Sequence, residues 1–505
     1  MEKHRLSEYI KALSDEGLLV DSEVDEELSI RRIGCLTYDT RELGQDALFI
    51  CKGAHFKPEY AEYAMKNGAA ALVSEIKYDG ASPFIIVTDI RRAMACLAPL
   101  FFDDAPRKVT SIGITGTKGK STTAYYLRAI INDWMSDEGR PECAILSSID
   151  TYDGVERFES HLTTPEIVEL YRHFSNAEKS GISHLVMEVS SQALKYGRVA
   201  GINFDVACFM NIGTDHISPI EHPDFEDYFA SKLKIFDTCK TACINSDSDF
   251  ADRIMAYADG KCRVVTFGSH ESDTVYCRRI EKRGDEIYFE VRTPEFEKEL
   301  HISMPGIFNV SNALAAIAMS YVLGIPEKYV ESGLAKARAG GRMQIYKSRD
   351  EKVIAIVDYA HNKMSFEALF NSVKVEFPGR KIIAVFGCPG GKAFLRRHDL
   401  AVAADADCDY IIITEEDSGE EPFNNIAKDI ASNIERCDYS VIEDRGEAIR
   451  KAVTELGGGM KVILITGKGE ETRQKRGTQY IDCPSDVDYT LKYLEEYDNA
   501  VIAAN

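Results

Sequence analysis

The sequence predicts an α/β protein of three domains: a small α/β domain, a central parallel-sheet domain with a glycine-rich loop, and a C-terminal Rossmann-like domain. Three observations lead there. Short apolar, β-branched runs alternate with segments of helical spacing along the chain. A glycine-rich stretch sits directly between one such run and a helix. Two interruptions, FFDDAPRK (101–108) and GGRMQIY (340–346), divide the alternation. At roughly 100–200 residues per domain, 505 residues give each of three domains enough chain to bury a core. The predicted domains are 1–106, 107–342 and 343–505.

In the first of these, LFICKG, AALVSE and FIIVTD read as short buried strands, and PEYAEYAMKNG as a helix ending at a glycine. FFDDAPRK is polar and contains proline, and reads as a linker. After it SIGIT is a strand, and TTAYYLRAIINDW has helical spacing. LVMEVS and DVACFMNI repeat the strand pattern, as a parallel sheet flanked by helices requires. Beyond the paired glycines, VIAIVDYAH, KIIAVFG, YIIITEE and KVILITGKG are four apolar runs separated by helical stretches. Such a doubly wound sheet binds ligands outside the C-terminal ends of its strands.

Composition narrows the function. With 45% hydrophobic and 28% charged residues, the chain is neither disordered nor fibrous. A net charge of −22 repels phosphate backbones and anionic lipid, so neither nucleic acid nor membrane is an expected partner. None of the thirteen cysteines lies in a CxxC pair. The closest two, Cys239 and Cys243, have no neighbouring histidine. Reduced thiols are therefore expected, with neither zinc nor a disulfide framework. The charged N-terminus lacks an apolar signal core, and no window approaches the ~18 apolar residues of a membrane span. A cytoplasmic monomer is expected.

The sharpest motif is Gly116-Thr117-Lys118-Gly119-Lys120-Ser121, followed by Thr122. Glycines let the backbone wrap closely, so that its N–H groups point at phosphate oxygens. The helix N-terminus adds partial positive charge, Lys120 a full one, and Ser121 a hydroxyl for Mg²⁺. A strict spacing would place glycine at 114, where Ile114 stands. A glycine-rich turn with a surface lysine is the competing reading. The motif implies ATP, and does not separate a motor, a switch and a ligase.

The surroundings separate them. TTPE (163–166), MEVSSQAL (187–194), FDVACFMNIGTDHI (204–217), GIFNVSNALAA (306–316), GGRMQ (340–344), VDYAH (357–361), VFGCPGG (385–391) and GKGEE (467–471) accompany the loop. In this order they resemble the Mur ligases, the ATP-dependent amide-forming enzymes of bacterial cell-wall synthesis. TTPE, MEVSSQA and VDYAH are most similar to the tripeptide-synthetase branch, which adds an amino acid to UDP-MurNAc-L-Ala-D-Glu for peptidoglycan. The resemblance implies that a substrate carboxylate attacks ATP to give an acyl phosphate, which an amine captures. Both steps concentrate negative charge and need cations.

It also implies roles. Glu188 and Ser121 would bind one Mg²⁺, and His216 a second, although a strand-end glutamate also reads as a solvated cap and a lone histidine as a surface group. The lysine matching Lys232 is carbamylated in the family, giving N6-carboxylysine, which requires a neutral amine. Only the resemblance distinguishes it from Lys234. Asn309 and Asn312 correspond to adenine-side asparagines; paired asparagines otherwise favour turns. Arg342 would close onto phosphate or the hinge, and Asp358 would face ribose or the hinge, with His361 adjacent. Thr163, Thr164, Ser190 and Arg198 would hold the sugar peptide, Arg198 by a charge-assisted pair. Tyr196 stands near it where some relatives carry glutamine. In the first domain Tyr38, Thr40 and the run Ala54, His55, Phe56 match uridine-side segments.

The last domain reads the incoming amino acid. Relatives that add meso-diaminopimelate carry Asp-Asn-Pro-Arg after the strand. Here the stretch runs Thr414 to Pro422, with Ser418 replacing the proline and Gly419 where the arginine would fall. Without that cation, carboxylate recognition is lost. The cluster Glu415, Glu416, Asp417 suits a terminal ammonium, or is a solvated loop. Lys392 would hold the α-carboxylate, and Gly467 and Glu471 match the α-amino side, with Glu470 replacing the usual histidine. L-Lysine is the expected substrate. L-Ornithine, one methylene shorter, and diaminopimelate stay open. A folylpolyglutamate synthetase-like ligase and an ATP-hydrolysing switch are the alternatives. TTPE with MEVSSQA argues against the first, and the amino acid pocket against the second.

Overall fold

The computed structural model describes residues 3–53, 56–160, 162–218, 221–456 and 458–504; the expected uridine-side residues Ala54 and His55 lie outside them. Three large sheets form. In the first, Leu19–Ser22, Phe84–Val87, Ala69–Ser74, Ala47–Ile50 and Cys35–Thr37 lie side by side in that order. The predicted strands and the helix Pro58–Lys66 are all present. Pro58 opens that helix, where its missing N–H costs no hydrogen bond.

The second sheet has eleven strands. Thr110–Thr115, the run before the phosphate loop, pairs in parallel with His184–Glu188 on one side and Phe204–Phe209 on the other. Its neighbours on each side come later in the chain, so connections leave in opposite directions and open a crevice at the strand ends. Neither edge is parallel, and at one of them Asp150–Tyr152 runs antiparallel to both its neighbours. Val275–Arg283, Glu286–Arg292 and Glu297–Ile302 form an antiparallel meander. In its middle strand buried and half-buried residues alternate, as one covered face requires.

The third sheet, Gln344–Lys347, Val353–Asp358, Lys461–Thr466, Lys381–Phe386, Tyr410–Ile413 and Asp438–Val441, is parallel except for its first strand. Separate apolar clusters fill its two faces. In the strand Lys461–Thr466 all six residues are buried, and its middle, Val462 to Ile465, is the apolar run the sequence shows.

FFDDAPRK departs from expectation. It is not a solvated linker. Phe101 ends the helix Ile90–Phe101, Phe102 and Ala105 are buried, and Ala105–Lys108 forms a 3₁₀ turn against the helix Ile167–Lys179. The two rings meet edge to face with centroids 4.8 Å apart. One apolar cluster runs from Leu6 and Leu48 through these phenylalanines to Tyr171 and Phe204, so the first two sheets share a core. The sequence signal fails because the polar residues face out while both aromatics face in. No described helix is long and apolar enough to cross a membrane.

A packed Phe102 predicts that Phe102→Ala costs about 3 kcal/mol or more in urea unfolding of the full chain. A loss below about 0.5 kcal/mol, the value for an exposed site, would restore the linker reading.

Candidate active site

The crevice collects what the sequence scattered. Gly119 precedes the helix Lys120–Asp137 with φ +82°, a conformation that favours glycine. A Cβ there would collide with Asn312 Oδ1. Asn309 and Asn312 begin the helix Asn309–Leu323 and bond each other, Nδ2 of Asn312 donating to Asn309 Oδ1 at 2.8 Å. Asn312 therefore sits against the loop, with Asn309 bonded to it. Asn211, which the sequence reading passed over, fastens the loop from the other side. Its Oδ1 accepts from the N–H groups of Thr117 at 3.1 Å and Lys118 at 3.0 Å.

Two lysines converge on one carbonyl. Lys120 Nζ and Lys232 Nζ each donate to Gly116 O at 2.8 Å. Lys232 lies on the helix Phe225–Leu233 and is 2% exposed, whereas Lys234 is exposed. Its amine stands 4.8 Å above the Tyr228 ring, and the Tyr228 hydroxyl lies 3.1 Å from Thr117 Oγ1. Burial, reinforced by the charge of Lys120, pushes the Lys232 ammonium well below the ordinary lysine range. Burial lowers Lys120 as well.

Glu188 is not a solvated cap: it is 1% exposed. Its Oε1 accepts from Ser148 N at 2.8 Å, and Ser148 Oγ lies 3.1 Å from Ser121 Oγ. Ser148 thus bridges two residues read as magnesium ligands. It belongs to no motif. His216 has φ +57° and lies 2.8 Å through Nδ1 from Glu221 Oε1. Among the described residues, one group of three acids and imidazoles has ligand atoms within 4.8 Å of one another: Asp153, Glu156 and His173, none of them a residue read as a magnesium ligand. Asp153 there already receives His173, Asn176 and two backbone N–H groups.

The third sheet reaches into the crevice. Arg396 donates to Asp215 through Nε at 3.0 Å and Nη2 at 2.9 Å, and Asn362 donates to the other oxygen at 3.0 Å. Burial alone would raise the Asp215 carboxyl, but the Arg396 guanidinium beside it holds it well below the carboxylate range. Burial lowers His361 to about 3, so its ring is neutral. Lys118 Nζ donates to Met364 O at 3.0 Å. Arg342 reaches Ser121 Oγ at 3.1 Å and stacks 4.5 Å over Tyr359. Asp358 faces the hinge: its oxygens accept from the N–H groups of Met343 and Ala360, both at 2.7 Å.

On the expected sugar-peptide side, Thr164 Oγ1 donates to Glu188 O at 2.9 Å and accepts from Ser190 N at 3.0 Å. Thr163 is half-buried beside it. Ser190 caps the helix Ser191–Lys195. Arg198 pairs with Glu166 at 2.9 Å, and Lys52 pairs with the same carboxylate. Glu166 is the acid of TTPE, so that motif also ties the first sheet to the second. Tyr38 donates to Glu169 at 2.6 Å. Thr40 opens a short 3₁₀ turn. Phe56 packs among Phe49, Tyr60 and Tyr78, inside its own domain. Tyr196 lies under Arg91 at 4.3 Å.

The acidic stretch of the third domain is neither a solvated loop nor a set of three free acids. Glu415 is held by Arg476 and Ser418, and Asp417 by Lys468 at 2.9 Å. Arg476 and Lys468 lie 61 and 51 residues along the chain from the acids they hold, on the hairpin Arg473–Arg476 and Gln479–Asp482 and at the strand end before it. Only Glu416 keeps no hydrogen bond or ion pair among the described residues. It packs where a Cβ on Gly467 would stand, and burial raises its carboxyl to about 7. Glu471 accepts from Tyr359 at 2.8 Å and pairs with Lys468 at 2.6 Å. Lys392 is exposed and unpartnered among the described residues.

Residues 114–320 match the Mur ligase middle domain, and residues 341–469 match the domain described as "Mur ligase, glutamate ligase domain". The UDP-N-acetylmuramoyl-L-alanyl-D-glutamate--L-lysine ligase of Enterococcus faecalis is 36% identical over 473 residues, 92% of each chain. The chain belongs to the Mur ligase family. The UDP-N-acetylmuramyl-tripeptide synthetase of Bifidobacterium longum is 37% identical, covering 86% of this chain and 87% of that one. Among solved structures, a UDP-N-acetylmuramoyl-L-alanyl-D-glutamate--2,6-diaminopimelate ligase superposes over 99% of both chains with a TM-score of 0.65, at 22% identity. That likeness is one of fold.

As a Mur ligase, the chain uses ATP and Mg²⁺, and its residues fit them. Ser121 and Glu188 offer the oxygen donors that magnesium prefers, joined through one serine.

The buried Glu416 carboxyl makes a testable statement. Raised from 4.5 to about 7, it holds a proton in the folded state that the unfolded chain releases, so its contribution to stability falls as pH rises through that window. Fully ionised, it costs up to about 3 kcal/mol. Glu416→Gln should therefore unfold at higher temperature than the parent at pH 8 and show no such advantage at pH 4.5. An equal shift at both pH values would contradict the assignment.

Proposed function

We propose that this Mur ligase adds L-lysine to the D-Glu γ-carboxylate of UDP-MurNAc-L-Ala-D-Glu, with ATP cleaved to ADP and phosphate. One observation supports the ligase reading above a switch. An acidic pocket in the third domain is wired to the phosphate loop, through Glu471 to Tyr359, Tyr359 to Arg342 and Arg342 to Ser121. A switch has no use for that link.

In this reading the segments 1–106, 107–342 and 343–505 hold the uridine end, ATP and the amino acid. The γ-carboxylate, held by Thr164, Ser190 and Arg198, attacks the γ-phosphorus of ATP, and ADP leaves. The lysine α-amine then attacks the acyl carbon, phosphate leaves, and a proton is released. Lys120 neutralises phosphoryl oxygens, and its place on the loop fixes the line of attack. Arg198 is available to a substrate carboxylate once Glu166 yields it. Magnesium, when bound, offsets the charge of the transferring group, with Ser121 and Glu188 at one ion and His216 and Lys232 at the other.

Carbamylation of Lys232 fits its surroundings. Reaction with CO₂ needs a neutral amine, and burial beside Lys120 favours one. The lysine preference rests on the unpaired Glu416 and on Gly419, which leaves no cation where the diaminopimelate-adding relatives carry arginine. Lys392 would serve the α-carboxylate from its exposed position, and Gly467 and Glu471 would flank the α-amine. The chain would act as a cytoplasmic monomer, without nucleic acid or membrane.

Purified protein with Mg²⁺, ATP and UDP-MurNAc-L-Ala-D-Glu should release ADP with L-lysine, and far more slowly with L-ornithine or meso-diaminopimelate, with product masses to match. Turnover with diaminopimelate alone would overturn the use made of Gly419. Silence with all three would overturn the ligase reading. Lys120→Ala should reduce ADP release on the order of 10²–10³-fold; an undiminished rate would remove Lys120 from the reaction.

A further inference from the structure

The helix Lys363–Glu376 of the third domain ends on an acid. That is the unfavourable end for one, since the last carbonyls of a helix carry partial negative charge. The Glu376 side chain is nonetheless only 1% exposed. A buried carboxylate persists where donors meet it, and here both donors come from the second domain. Its Oε1 accepts from the Gly306 N–H at 2.9 Å, and its Oε2 pairs with Lys282 Nζ at 3.0 Å. The two donors lie 70 and 94 residues away along the chain.

Lys282 stands near the turn between Val275–Arg283 and Glu286–Arg292, the tip of the antiparallel meander. Its ammonium lies 5.5 Å from the centre of the Phe377 ring, and the side chain keeps partial access to solvent. Gly306 is a different kind of partner. It opens the segment GIFNVSN, which leads into the helix Asn309–Leu323. Its φ of +93° favours glycine, and a Cβ there would come within 2.7 Å of the Phe308 ring.

The turn is bonded onward to the nucleotide side. Gly306 O accepts from the Asn309 N–H at 2.8 Å, and Pro305 O accepts from Asn309 Nδ2 at 2.5 Å. Asn309 Oδ1 in turn holds Asn312, which stands against Gly119 of the phosphate loop. The Gly306 N–H has no backbone acceptor among the described residues, so Glu376 is what satisfies it. An unbroken line of contacts thus runs from a carboxylate of the third domain to the phosphate loop.

We propose that Glu376 is a positioning residue for ATP. Its carboxylate fixes the Gly306 turn, and with it the end of the helix that presents Asn309 and Asn312 to the nucleotide. The inference rests on reading those asparagines as adenine-side groups, and it gives the third domain a part in nucleotide binding. A staple between domains would need only the pairing with Lys282. The bond to the Gly306 N–H is what ties the acid to the nucleotide side. Because donor and acceptor belong to different domains, nucleotide affinity and the seating of the third domain strengthen each other.

Calorimetric titration of the full chain with MgADP reads this without turnover. In Glu376→Ala, which removes both bonds, the Kd for MgADP should rise about tenfold, as loss of a hydrogen bond to a charged acceptor implies. KM for ATP should rise with it, while KM for L-lysine stays within about twofold. Glu376→Gln keeps an oxygen for the Gly306 N–H and gives up the charge, and Lys282 can turn to solvent. Its Kd for MgADP should therefore stay within about threefold of the parent. Loss of a domain staple would instead weaken both variants alike, and that result overturns the proposal. So does a Kd in folded Glu376→Ala less than about threefold above the parent. Should Glu376→Ala fail to fold by circular dichroism, Glu376→Asp decides, because it keeps the charge but draws the oxygen back from Gly306. A rise of about threefold or more in its Kd supports the proposal, and a smaller one overturns it. A parent that binds MgADP yet forms no amide would sink the ligase reading and leave this test standing.

Discussion

Two lysine amines donate to a single buried carbonyl, Gly116 O, and the rest of the site is arranged around that crowding. Two full charges at that spacing, away from water, repel strongly. A polyphosphate can answer one of them, and loss of a proton removes the other. The geometry therefore asks for an anionic substrate beside Lys120 and a neutral amine at Lys232. Strand order places the carbonyl there, because the crevice opens where the connections on either side of Thr110–Thr115 diverge. Tyr228 and Asn211 then hold the loop in shape, and neither belongs to a phosphate-binding signature.

The third domain completes the site by reaching it. Arg396 on Asp215, Lys118 on Met364 O and Arg342 on Ser121 cross from one sheet to the other, and each ends on the phosphate loop or its immediate surroundings. The proposed reaction, which joins substrates held by different domains, needs such contacts, since the amine must arrive within bonding reach of an acyl phosphate that water would otherwise destroy.

Much of this was legible in the sequence, for definite reasons. The phosphate loop announces itself by glycine spacing between a strand and a helix, and the sheet strands by apolar runs. Motif order led to Glu188 and Lys232, and burial separates Lys232 from Lys234, which composition cannot. What stayed hidden was whatever depends on distant partners. The acids at 415 and 417 look like their neighbour at 416 until Arg476 and Lys468 fold against them. Ser148 carries no pattern at all. Phe101 and Phe102 were masked by the polar residues that follow them, and the antiparallel meander 275–302 by charges that face solvent.

The site depends on the state of Lys232, and ¹³C NMR of the protein equilibrated with ¹³C-bicarbonate reads it directly. A carbamate carbon signal should appear in the parent and in Lys234→Ala, and vanish in Lys232→Ala. Its absence from the parent, or its persistence in Lys232→Ala, would contradict the claim that the pair of lysines on Gly116 O is relieved by carbamylation.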